Sequence, residues 1–161
     1  MQHKLHNEVS ELNNNIETKF IAIALVEETF KRERVLPLEN ESENKIDFNI
    51  NSMKIENQPS RHILEITTKL ELFNKQSNSN FYYHECKFIG VFDVILNDCN
   101  DELYNSIVTH NLPAMMFPYI REHITNISSK AGISPIILPP MNIVSLLNEH
   151  NNKDDSNGQN N

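Results

Sequence analysis

The chain has 161 residues, enough for one domain that buries roughly two thirds of the surface its unfolded form exposes. Fourteen Lys and Arg stand against 22 Asp and Glu, and the formal charge of -8 repels phosphate backbones and anionic lipid, so nucleic acid is not an expected ligand. No run reaches the ~18 apolar residues of a membrane helix, and residues 1–15 have neither the apolar core nor the small-residue cleavage site of a signal peptide, so the chain is expected to stay where it is made, without membrane insertion.

Residues 1–18 are Asn-rich, with a short helical hint in Leu5, Val9, Leu12 and Ile16, and read as a mobile segment ahead of a folded domain over residues 19–148. The first strand is expected over residues 20–30, where Ile21, Ile23 and Leu25 alternate with Phe20, Ala22, Ala24 and Val26. Both of its faces are apolar. Residues 35–44 carry Pro37 and a cluster of Glu, Asn and Ser that suits a connection. In residues 45–55, Ile46, Phe48 and Ile50 alternate with Asp47, Asn49 and Asn51, the pattern of a strand with one solvated face. Asn57, Gln58, Pro59 and Ser60 then break the chain.

A third strand over residues 63–73 sets Leu64, Ile66, Thr68, Leu70 and Leu72 against Glu65, Thr67, Lys69 and Glu71. The turn-rich residues 74–80 link it to a fourth over residues 81–96, so these two read as a hairpin. Strand four puts Tyr82, His84, Cys86 and Phe88 on one face and Phe81, Tyr83, Glu85, Lys87 and Ile89 on the other. From Asp101 the period becomes helical, with an interruption expected near residues 111–113. Met116, Ile120, Ile124 and Ile127 then form a stripe, Pro118 predicts a bend, and Gly132 predicts the stop. An apolar, proline-bounded linker over residues 133–140 leads to a short terminal helix over residues 141–149. Residues 149–161 hold no apolar side chain and read as a disordered polar tail.

Four consecutive strands followed by helices predict an α+β domain: a four-stranded antiparallel meander, one long bent helix and a short C-terminal helix. Strands one and four expose apolar residues on both faces while little helix exists to cover them, so a second subunit is the natural cover. With only three glycines there is no phosphate loop and no Gly-x-Ser-x-Gly elbow, so an enzyme is not expected. Cys86 and Cys99 form no CxxC pair, and they suit free thiols in a reducing cytosol. With His84, His110 and His123 they show no HxxxH spacing either, so neither a metal nor another cofactor is expected.

The segment NLPAMMFPYIREHITNISSKAGISPIILPPMNIVSLL, residues 111–147, resembles the C-terminal half of the SecB family, whose pattern there is P-x-x-x-FP-[YF]-x-R-x-x-[IV] followed by L-x-P-[VI]-NF-x-x-L. The matching positions are Pro113, Phe117, Pro118, Tyr119, Arg121, Ile124, Pro135, Leu138, Pro140, Asn142 and Leu146. Upstream, ECKFIGVFDV (residues 85–94) is similar to the family's E-x-x-x-GIF, and KIDFN (residues 45–49) to its K-L-D-L-D strand.

The resemblance implies a bacterial cytoplasmic chaperone without ATP or metal: a homotetramer, assembled as a dimer of dimers, that holds unfolded secretory precursors and delivers them to the motor SecA. It implies a client-binding groove at Ile46 and Phe48 with Ile143 and Leu147, and a SecA-docking surface at Glu27, Tyr83 and Glu85. It also implies a tetramer interface at Tyr82, His84, Cys86 and Phe88. Two alternatives stay open. One is a SecB-like dedicated chaperone of a toxin and antitoxin pair. The other, motivated by Ile143, Val144 and the absence of aromatics from the loop LPLENESEN, is a structural assembly protein of the same fold that binds no client.

Overall fold

The computed structural model describes residues 16–37, 41–96 and 101–138. Strands β1 (Ile16–Arg32), β2 (Ser42–Ile55), β3 (Gln58–Asn74) and β4 (Asn80–Leu96) form one antiparallel sheet in the order β1-β4-β3-β2. Helix α1 (Asp101–Ser106) runs through a π-helical turn (Ile107–Asn111) into the long helix α2 (Leu112–Lys130). The terminal helix expected over residues 141–149, with Ile143 and Leu147, lies outside the described residues, as do Cys99 and the polar tail.

The expected antiparallel sheet and long helix are present, and the strand order corrects one detail. β2, β3 and β4 form a meander, but β1 pairs with β4 and not with β2, which makes the sheet a Greek key. Two-faced β4 explains the order: apolar on both sides, it belongs in the sheet interior, and β1 covers the edge that a simple meander would leave open. The β3–β4 turn is locally encoded. The Asn74 side-chain oxygen accepts from the backbone N–H of Gln76 (2.9 Å) and Ser77 (3.0 Å), and Asn78 takes a positive φ of 52°, which Asn tolerates.

β1 departs from simple alternation. Register shifts between Phe20 and Ala22 and between Leu25 and Glu27 set Phe20, Ile23, Leu25 and Glu28 opposite Phe92, Gly90, Phe88 and Cys86, all on one face. The bulged residues Ile21 and Val26 are each 46% exposed.

The core lies between one sheet face and α2. His62, Leu64, Ile66, Thr68 and Leu70 of β3 and Tyr82, His84, Cys86, Phe88 and Phe92 of β4 are buried beneath Met116, Phe117, Ile120 and Ile124. The expected interruption near residue 111 takes the form of the π turn, in which the Leu112 N–H donates to the Ile107 carbonyl. Pro118 sits inside α2 on its exposed side, so the hydrogen bond it forfeits faces water. The helix ends at Gly132 (φ 72°) in a Schellman motif, with Ile133 N–H on the Ser128 carbonyl and Gly132 N–H on that of Ser129.

Candidate functional site

Beyond the helix stop, the chain folds back as an irregular segment and forms one wall of a groove. Its backbone is tied to α2 from both sides. Ile136 N–H donates to Ser128 Oγ (2.9 Å), and Thr125 Oγ1 donates to the Ile136 carbonyl (2.9 Å). Arg32, at the end of β1, donates through Nη1 to the Ala131 carbonyl (2.8 Å) and so clamps the helix end to the β1–β2 connection.

The groove between them has a volume of about 500 Å³ and is lined by Leu36, Pro37, Ser42, Asn44, Leu72, Phe81 and residues 132–137. A second concavity of about 630 Å³ shares Leu36, Pro37 and Phe81 and extends past Val35. The walls display apolar surface to water: Ile137 is 71% exposed and Val35 84%. Covering such side chains is worth on the order of 1 kcal/mol each at ~25 cal/mol per Å². β2 is the sheet edge beside the groove, and among the described residues no strand pairs with its outer side.

Of the expected groove residues, Ile46 is half-buried, and Phe48 is buried against Phe117 with ring centroids 6.0 Å apart. Both belong to the α2-facing side of β2, the side of Asn44 and Leu72, which line the groove together with Leu36, Pro37, Ser42, Phe81 and the segment after α2. Among the strand residues of this set, the alternation placed Leu72 on the face of Leu70 and Phe81 on the face opposite Tyr82.

Tyr83 and Glu85 lie on the sheet face away from α2, joined by a hydrogen bond from the Tyr83 hydroxyl to the Glu85 carboxylate. That bond is the main reason the Tyr83 phenol is pushed up to about 12. Glu27 shares this face, where Lys87 Nζ reaches it at 3.0 Å and Glu65 at 3.8 Å. Arg61 and Asp93 form a bidentate pair, both bonds 2.9 Å, which holds the Asp93 carboxyl below its ordinary range. Carboxylates only slightly outnumber cations on this face, which by register carries Glu17, Glu27, Glu43, Asp47, Glu65, Glu71, Glu85 and Asp93 against Lys19, Lys31, Lys45, Arg61, Lys69 and Lys87.

Tyr82, His84, Cys86 and Phe88 lie on the opposite face and are buried within a single chain. Here the fold joins residues that the sequence kept apart. Nε2 of His84 and Nε2 of His123 lie 3.2 and 3.0 Å from the same Oε1 of Glu28, and the ligand atoms of His84, Cys86 and His123 fall within 4.8 Å of one another. Burial is the first cause of both shifts here, lowering His84 and pushing the Cys86 thiol up to about 12. No spacing rule joins a β1 glutamate, a β4 His-x-Cys and a helical histidine.

The family model described as "SecB: Preprotein translocase subunit SecB" matches residues 13–154. The protein-export protein SecB of Rickettsia akari is 26% identical over 111 residues, covering 66% of this chain and 68% of its own. The corresponding protein of Rickettsia bellii matches over the same extent at 26% identity. Among solved structures, a Mycobacterium tuberculosis SecB-like chaperone in complex with a ChAD peptide from the HigA1 antitoxin superposes with a TM-score of 0.64 at 17% identity, over 84% of this chain and 98% of that one.

Proposed function

The chain belongs to the SecB family, and from that premise we propose that it is an ATP-independent holdase that binds unfolded secretory precursors in the bacterial cytoplasm and delivers them to SecA. The observation that carries this reading is the groove, where exposed Ile137, with Val35 in the adjoining concavity, lies beside the edge of β2 with which, among the described residues, no strand pairs. An extended client segment gains main-chain hydrogen bonds from such an edge and apolar burial from such walls, and neither demands a particular sequence. The reading is of a binding protein and not of an enzyme. No nucleotide or other cofactor enters it.

The carboxylates of Glu27 and Glu85, set among Lys31, Lys69 and Lys87, support docking of a charged surface on SecA, with fast and salt-sensitive association. For the homotetramer, a dimer of dimers, the support is apolar surface left on β1 and α2: Leu25, Phe30, Met115 and Tyr119 are all exposed in one chain. Tyr82, His84, Cys86 and Phe88 would form the layer beneath that interface.

Native mass spectrometry tests the reading, with the protein alone and with an unfolded, signal-bearing precursor. Four chains plus one client is the expected mass. A tetramer that leaves the client free would overturn the holdase reading in favour of a structural assembly protein, and a monomer would overturn the assembly.

A second reading is a dedicated chaperone of an antitoxin, favoured by the likeness to a SecB-like chaperone solved with an antitoxin peptide. Preference for an antitoxin segment over secretory precursors, with no affinity for SecA, would select it.

A further inference from the structure

We propose that Glu28, His84, Cys86 and His123 form a binding site for one zinc-class cation at the junction of β1, β4 and α2. His84 and Cys86 are two residues apart on one face of β4, each 1% exposed, and Glu28 is the β1 residue paired with Cys86. His123 reaches down from α2, and its ring lies 5.6 Å from that of His84.

The geometry is close to that of a tetrahedral ion. Arms of about 2.0–2.1 Å to nitrogen or oxygen and 2.3 Å to sulfur give ligand-to-ligand edges of roughly 3.3–3.6 Å. The two edges from Glu28 to the histidines, at 3.2 and 3.0 Å, already lie near that length. The three separations among His84, Cys86 and His123, all within 4.8 Å, close by side-chain rotation of about 1 Å.

The donor set selects the class of ion. Thiolate and imidazole favour zinc and its neighbours over magnesium or calcium, and one carboxylate with one thiolate balances a dication in a partly buried site. Binding releases the Cys86 thiol proton to solvent, while both imidazoles coordinate in their neutral form. The ion would join α2 to both strands beneath it, and α2 carries the groove wall at its C-terminus. This assignment stands apart from the chaperone reading.

The test uses the untagged full chain, stripped by chelator and titrated with Co²⁺ and then Zn²⁺. Expected are the visible bands of tetrahedral Co²⁺ and a thiolate charge-transfer band, saturating near about one ion per chain. Cys86→Ser should lose the charge-transfer band, Cys99→Ser should keep it, and His123→Ala should weaken Co²⁺ binding by at least about tenfold. Zn²⁺ should raise the melting temperature of the native chain and not that of His123→Ala. The His123 side chain is 19% exposed, so this variant is the one expected to stay folded should Cys86→Ser fail to fold. Absence of saturable Co²⁺ binding, a charge-transfer band that follows Cys99, or unchanged Co²⁺ affinity in folded His123→Ala would overturn the site.

Discussion

The sulfur of Met116 fills the space beside Gly90: a Cβ at residue 90 would stand 2.5 Å from Met116 Sδ and 2.7 Å from Phe92 Cε2. The N-terminal part of α2 reaches β4 because that strand position has no side chain. Gly90→Ala should cost ~1–3 kcal/mol through overpacking, read from urea unfolding. Unchanged stability would mean that Met116 moves aside freely and that the close approach is incidental.

The interface expected at Cys86 and Phe88 lies, within one chain, under α2. Cys86→Asp or Phe88→Asp should therefore unfold the chain, losing ~3 kcal/mol or more by burying an unpaired charge, and should not release folded dimers. Tyr119→Asp, at an exposed helix position, should lower the assembly mass with circular dichroism unchanged. Light scattering beside circular dichroism separates the two outcomes, and a folded dimer from Phe88→Asp would contradict this placement.

Ile137 is mostly exposed and contributes little to folding. Ile137→Ser should leave stability within about 0.5 kcal/mol. It should also weaken capture of an unfolded client about fivefold, a loss of ~1 kcal/mol. Fluorescence anisotropy with a labelled, unfolded precursor measures this. Equal affinity would remove the segment after α2 from the client site.

His62 is buried and hydrogen-bonded to the Tyr104 hydroxyl of α1, and Lys54 lies over the Tyr104 ring at 4.2 Å. Burial first, and the Lys54 charge second, lower its pKa from 6.5. Because the folded value lies below the unfolded one, the unfolded chain takes up the proton first as pH falls. This contribution to stability is complete above pH 6.5 and is lost as pH falls through the folded value. His62→Gln should flatten that part of the stability profile relative to the native chain. Parallel profiles would show that His62 does not titrate between the two states.

Alternation with a period of two made the four strands readable, and the change to three- and four-residue spacing made α2 readable, because both periods express which side of a local element is dry. Gly132 as the helix stop was equally local, since the positive φ that ends α2 suits glycine. The bulges at Ile21 and Val26 were hidden, because a bulge is defined by the partner strand and Ile and Val fit a regular strand as well. The groove was hidden for a related reason. Leu36, Pro37 and Ile137 sit in irregular segments where apolar residues have no period, and the clamp from Arg32 to Ala131, with Leu36, Ile133 and Ile136 packed on one core, brings the segments together.

By itself, then, the sequence determined the four strands, the long helix, their order along the chain and the family, since local periodicity and a fixed-spacing motif survive without knowledge of contacts. The tertiary structure alone decided that β1 lies beside β4, that two loops form the groove, and that Glu28 meets His84 and His123. Those juxtapositions join residues up to 99 positions apart, as Arg32 and Ala131 are, and such pairings follow from which surfaces exclude water together.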